Sequence, residues 1–258
     1  MKITILVPTL GIRKKQIDRL LRSLNAQVYK NFEVIFVSQC NHDYLEKKIT
    51  DFPDMEIKHI KLYELGLSKA RNAGLKIARG DIVVLSDDDC WYPKDALNKI
   101  VNIFKADASA KIVLTQIFDK EKHCPYKAYP HRKQYINNRF MLLSKSSIEI
   151  AFKKDEVKQA EFDEKFGLGS IFVCGEEIDF LIKNFERNKY IYVPTITVYH
   201  SQKLKNSNKE QIIAKGALYA KNFNIVVSIM VLIKDLLLKK ECNFKSFFEG
   251  YIKFEKIR

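Results

Sequence analysis

Two apolar patterns alternate along the first hundred residues. Residues 3–7, 32–37 and 82–86 are short, nearly unbroken apolar runs of the length of a buried strand. Between the first two, Ile17, Leu20, Leu21 and Leu24 recur at i, i+3, i+4 and i+7, the stripe of an amphipathic helix. Residues 43–50 read as another helix and 56–62 as a short strand. Gly66 opens a helix over 67–79 with Gly80 as its C′ residue, and Pro93 starts one that runs to about 105. Strand and helix in turn predict the α/β class, with a doubly wound, mostly parallel sheet. In such sheets ligands bind beyond the carboxyl ends of the strands.

After residue 106 the pattern is mixed. Residues 111–118 read as a strand, 119–138 as a polar loop, 139–143 as a strand and 146–152 as a short helix. A helix over 176–188 and a strand over 190–200, broken by Pro194, follow. From Ser207 onward the pattern is helical. The uncharged run between Lys221 and Lys234 is well short of the roughly 18–20 residues that span a bilayer. Lys215, Lys221, Lys239, Lys240 and Lys245, with Phe247, Phe248 and Tyr251, suit an interfacial helix on anionic lipid. A helix packed on the main domain or on a second subunit accounts for the same pattern.

Composition narrows the class. With 47% hydrophobic and 12% aromatic residues, the 258-residue chain can build a sizeable core. The five cysteines (Cys40, Cys90, Cys124, Cys174, Cys242) lack C-x-x-C spacing, which argues against a zinc site or a disulfide framework. The first apolar run stops at Pro8, too short for the core of a signal peptide, so the sequence reads as that of an intracellular protein. A net charge of +14 points to nucleic acid, an anionic membrane or phosphorylated ligands as partners. Residues 201–258 hold 12 Lys and Arg against 5 Asp and Glu, so the excess is concentrated in the tail.

Against that basic background, Asp87, Asp88 and Asp89 end an apolar run. On a continuing strand Asp87 and Asp89 would project to one side, two hard oxygen ligands suited to Mg²⁺ or Mn²⁺ shared with a phosphate. Aspartates capping the next helix are the alternative. Gly175, Glu176 and Glu177 open the 176–188 helix, whose apolar face centres near Leu181 and Phe185. Glu177 falls at the border of that face, placed for a raised pKa and general-base work, whereas Glu176 points away from it. Acidic residues in a first helical turn also need no catalytic reason. His200 ends a strand and could ligate a metal or lie on the surface. Arg13, Lys14 and Lys15 after the first strand, and Arg71 with Asn72 on the helix after Gly66, lie on the ligand side of the sheet and could meet phosphates.

Six stretches in order resemble the family 2 glycosyltransferases, inverting nucleotide-sugar enzymes of the GT-A fold. They are Ile5-Leu6-Val7-Pro8-Thr9, Gly66 to Gly74, Gly80 to Asp89, Phe162-Asp163-Glu164-Lys165-Phe166-Gly167, Gly175 to Phe180, and Val198-Tyr199-His200. The resemblance implies a glycosyltransferase domain over 1–205, with a nucleotide-binding half (1–95) and an acceptor-binding half (96–205), and a basic helical tail over 206–258. It implies that Asp89, with His200, binds a divalent metal, Mn²⁺ or Mg²⁺, and that Asp87 contacts the nucleoside, with Asp88 beside it. Pro8, Thr9, Arg13 and Arg71 match nucleotide-contacting positions, and Glu177 matches the base, supported by Gly175 and Glu176. The family's base-ring aspartate after the second strand is missing from Val37-Ser38-Gln39-Cys40-Asn41, which leaves Gln39 to hydrogen-bond a uracil. Glu177 also replaces an aspartate.

The implied activity is transfer with inversion from a UDP-sugar to a glycan, lipid-linked in bacterial surface polysaccharide synthesis. The implied setting is the cytoplasm, peripheral on the inner face of the cell membrane, with no nucleic-acid partner and a homo-oligomer through the tail as a further expectation. Two rivals fit less of the chain. A sugar nucleotidyltransferase wants a glycine-rich loop after the first strand, where only Gly11 stands. A basic membrane or nucleic-acid binding module leaves the acidic clusters idle.

Overall fold

A computed structural model describes residues 1–202, 208–239 and 243–258. Ser207, Lys240, Cys242, the side chain of Lys239 and the expected boundary between 205 and 206 fall outside the described residues. The strands are β1 (Ile3–Thr9), β2 (Phe32–Ser38), β3 (Glu56–Lys61), β4 (Ile82–Leu85), β5 (Ile112–Asp119), β6 (Cys124–Pro125), β7 (Gln134–Tyr135), β8 (Ile150–Lys153) and β9 (Tyr190–Tyr199). The helices are α1 (Lys14–Asn25), α2 (His42–Ile49), α3 (Leu67–Ile77), α4 (Ala96–Ala106), α5 (Glu176–Lys183), α6 (Lys209–Asn222), α7 (Ile225–Lys239) and α8 (Phe244–Ile257).

The strands form one sheet in the order β3-β2-β1-β4-β8-β5-β9-β7, with β6 on β5. The half from β3 to β4 is parallel, as the alternation predicts. The other half is mixed: β8 is antiparallel to both β4 and β5, and β7 is antiparallel to β9. Ile3, Ile5 and Val7 of β1 face a layer of α1, α2 and α4, whereas Leu6 faces α3, α5, α6 and α8. This is the period-two alternation of a strand covered on both faces.

Several expectations are corrected. Residues 139–143 form a 3₁₀ turn (Arg139–Leu142), not a strand. The helix expected at 146–152 is a 3₁₀ turn closed by a Ser146–Glu149 capping box, followed by β8. That capping box is a helix-start signal, but Ile150, Ala151 and Phe152 gain more by filling the gap between β4 and β5. The α5 helix ends at Lys183 rather than near 188. Pro194 does not end β9; it sits where the pairing with β5 slips its register, a bulge that tolerates the missing N–H. Gly80 is not a left-handed cap. A side chain there would come within 2.4 Å of the Thr4 nitrogen, so glycine is required by close packing on β1.

The tail is built into the molecule. Ala214, Ala217 and Leu218 of α6 and Phe254 of α8 join the core that covers α3 and α5. At the α6–α8 crossing, a Cβ on Gly216 would meet Phe247 O at 1.9 Å, and one on Gly250 would meet Ile213 O at 1.9 Å. Only glycine lets the two backbones approach this closely. No helix among the described residues is long and apolar enough to cross a membrane.

Candidate active site

Parallel pairing sets the ends of β1 and β2 side by side, Thr9 opposite Ser38, with β4 next to β1. The loops beyond these ends therefore converge. They enclose a cleft lined by Pro8, Thr9, Arg13, Gln39 and the three aspartates. Leu10, Ile12, Leu65, Gly66, Leu67, Leu168 and Gly169 complete its walls.

The aspartates do not continue the strand. β4 stops at Leu85 and the acids occupy the turn that follows, so strand alternation does not place Asp87 and Asp89 together. Asp88 is the buried one. It accepts a hydrogen bond from the Thr9 hydroxyl at 2.6 Å and one from Arg13 Nη1 at 2.9 Å. Burial raises the Asp88 carboxyl, while Thr9 and Arg13 pull against it. Arg13 Nη1 also lies 2.8 Å from Asp89 Oδ2. Burial alone would lower the Arg13 guanidinium, but Asp89 and Asp88 together raise it.

A short antiparallel bridge brings His200 to this turn. Trp91 and Tyr199 exchange backbone hydrogen bonds of 3.1 and 2.7 Å, and His200 Nε2 then lies 3.0 Å from Asp89 Oδ1. His200 is buried and its Nδ1 has no hydrogen-bond partner among the described residues. Arg19, stacked 3.4 Å over Trp91, donates to the Asp89 carbonyl at 3.1 Å. No three His, Cys, Asp or Glu groups converge on one point among the described residues. A hard divalent cation here would take at most Asp89 and His200 from the protein and fill its sphere with phosphate oxygens and water. That donor set suits Mg²⁺ or Mn²⁺.

Arg71 lies beneath the cleft rather than in its wall. It is fully buried on α3, its Nη1 2.9 Å from Glu176 Oε1 and its Nη2 3.4 Å from Asp87 Oδ1. Glu176 accordingly does not point away from the core, as the one-faced reading of α5 expects. It is 6% exposed, because α3 supplies Arg71 on that side. The third face of α5 is covered as well: Asp179 is buried and accepts from Lys221 at 2.8 Å and from Asn222 at 3.0 Å, both on α6. Glu177 keeps part of its surface in solvent. Desolvation first, and then the Glu176 charge, push its carboxyl up to about 8. Gly175, at φ +99°, makes the turn into α5.

Gln39 Nε2 donates to the carbonyls of Glu64 and Gly66, at 2.6 and 3.1 Å, so only its Oε1 remains to meet a base. Lys14 lies over the Tyr44 ring on the first turn of α1 and does not line the cleft. Asn72 is structural, holding Phe162 through both its amide atoms. Sequence reasoning missed Arg19, Trp91, Leu65, Leu168 and Gly169. The last two had a signal in the Gly167-Leu168-Gly169 string. Both glycines have positive φ, and Leu168 O accepts from Leu67 N at 2.8 Å, which closes this loop over the start of α3.

The family model "Glycosyl transferase family 2" matches residues 4–154. An uncharacterised glycosyltransferase of Haemophilus influenzae is 27% identical over 188 residues, which cover 70% of this chain and 61% of that protein. The chain thus corresponds to less than two thirds of that relative. Staphylococcus aureus TarS 1–349, in complex with UDP-GlcNAc, superposes over 98% of this chain and 79% of its own, with a TM-score of 0.70 at 17% identity. The mannosyltransferase PcManGT of Pyrobaculum calidifontis, in complex with GDP-Man and Mn²⁺, covers 98% and 68% with a TM-score of 0.61 at 17% identity. At these identities the two structures speak to the fold.

Proposed function

The chain belongs to glycosyl transferase family 2, with the GT-A fold, and from that premise we propose that it is an inverting glycosyltransferase that moves a sugar from a UDP-sugar to a hydroxyl of a glycan acceptor. One observation carries the reading: Thr9, Arg13, Gln39 and Asp87–Asp89 line a single cleft at the strand ends, and Arg71 joins that cleft to the helix bearing Glu177. Uridine is favoured because Gln39 offers an acceptor, which pairs with the imide N–H of uracil.

In this reading Asp87 contacts the nucleoside and Pro8 and Thr9 floor the donor site. Arg13 sets a cation beside Asp88 and Asp89, near where the diphosphate lies. Asp89 and His200 would hold a divalent metal, Mn²⁺ or Mg²⁺, which would supply charge neutralisation at the diphosphate. Glu177 accepts the proton of the acceptor hydroxyl. That oxygen bonds to the anomeric carbon from the face opposite the leaving phosphate, whose bond to the carbon breaks with the electron pair. A carboxyl with a raised pKa is a stronger base than an ordinary one, which suits this step. The Leu65 and Leu168 walls shield the donor from water.

The acceptor is proposed to be a lipid-linked glycan of bacterial surface polysaccharide synthesis, reached from the inner face of the cell membrane. Support comes from the basic tail and from α7, which leaves Ile225, Val226, Met230 and Ile233 exposed.

The test is release of nucleoside diphosphate from a panel of nucleotide sugars, with manganese present or chelated. Release from a UDP-sugar that stops on chelation is expected, and Glu177→Gln should cut it by about 10³-fold while UDP binding persists. Full turnover in Glu177→Gln would remove the base, and no release from any donor would remove the activity.

A further inference from the structure

One cation and three carboxylates meet where α3, α5 and the turn after β4 pack together. Glu177 lies within the field of the charges of Glu176 on its own helix, Arg71 from α3 and Asp87 from the turn after β4. Cys174 lies in the preceding loop, with Lys215 of α6 beyond it. The Arg71 side chain is 1% exposed, so water does not stand in for its partners. Its two terminal nitrogens go to carboxylates on two different elements, Glu176 at 2.9 Å and Asp87 at 3.4 Å. The Phe162 ring, 5.3 Å from the guanidinium, backs it. A planar fork with donors in fixed directions bridges two such groups, which a lysine ammonium cannot do in the same geometry. Burying more carboxylates than cations is costly: burial raises the Asp87 carboxyl against the pull of Arg71, and it raises Glu177, which lacks an ion-pair partner among the described residues.

We propose that Arg71 is a positioning residue. It ties the donor-side turn at Asp87 to the acceptor-side helix at Glu176, and by pairing with those two it leaves Glu177, which has no ion-pair partner among the described residues, as the glutamate of the cluster that holds and releases a proton. The inference rests on the reading of Glu177 as base, but it concerns how that proton is assigned, and it is tested without turnover.

The experiment follows the side-chain carboxyl carbons of ¹³C-labelled glutamate by NMR across pH, in the full chain and in four variants. One glutamate titrating above the ordinary carboxylate range is expected, and it is absent in Glu177→Gln. In Glu176→Gln, where a neighbouring negative charge is gone and Arg71 is left less balanced, its midpoint moves down by about one pH unit. In Arg71→Met it moves up, and Arg71→Lys falls between Arg71→Met and the parent. Glu176→Gln preserves size, so it remains informative if Arg71→Met fails to fold. A midpoint that stays put in Glu176→Gln, shifts of the same sign in Glu176→Gln and Arg71→Met, or no glutamate in this range, would overturn the proposal. Full turnover in Glu177→Gln would instead overturn the base and leave the titration result standing.

Discussion

Two buried carboxylates, one on a strand of the parallel half of the sheet and one on α5, are satisfied in different ways. Glu33 on β2 takes its partners from the parallel half around it. Thr4 on β1 donates at 2.7 Å, Lys58 on β3 at 2.6 Å and the Arg79 N–H at 2.7 Å. Asp179 on α5 takes its side-chain partners from the tail, Lys221 and Asn222. Lys221 also reaches Asp163 at 2.7 Å, in the loop ahead of α5. The parallel half is closed by strands next to one another in sequence order. The helix bearing Glu176 and Glu177 is closed by α6, which returns from the end of the chain. The tail is thus part of the packing that holds α5.

The sharpest way to break this contrast is Lys221→Met. It leaves Asp179 buried beside an apolar chain and should cost about 3–5 kcal/mol, the range for removing one partner of a buried pair. Chemical denaturation measures it. A loss below about 1 kcal/mol would mean that α6 is dispensable to α5.

The matching experiment on the parallel half is acid titration. Burial would raise Glu33, but Lys58, Thr4 and the Arg79 N–H outweigh it and bring the carboxyl down to about 2. Because the folded value lies below the unfolded one, the stabilisation is complete above about pH 4.5 and is lost as pH falls from there toward 2. About 3 kcal/mol should disappear over that window. Glu33→Gln should flatten that part of the stability–pH curve, and an unchanged curve would refute the assignment.

The smallest effect is expected at the sheet edge. Lys61 on β3 and Glu46 on α2 pair at 2.6 Å but are a third and over half exposed, so Lys61→Ala should leave the denaturation midpoint nearly unchanged. A clear downward shift would show that edge pairing supports the parallel half more than its exposure suggests.

The sheet's parallel half was legible because both of its signals are local: short apolar runs and helical stripes between them. Arg13 and the aspartates followed, since parallel strands put their carboxyl ends on one side, and the family resemblance added Thr9 and Gln39. β8 was not legible. Ser146 and Glu149 give a true helix-start pattern, and only a gap between β4 and β5 makes Ile150–Lys153 a strand. The orientation of Glu176 failed for a related reason. A helical wheel assumes one buried face, whereas α5 is covered from the sides by α3 and α6.

Residue order alone determined the class of fold, the succession of the parallel strands and the family, because these rest on periodicity and on motifs contained in short stretches. Which carboxylate pairs with which cation was decided only by the tertiary structure. Arg71 and Glu176 are 105 positions apart, and Lys221 and Asp179 are 42 apart. Charge pairing depends on distance in space, and packing around the sheet sets that distance.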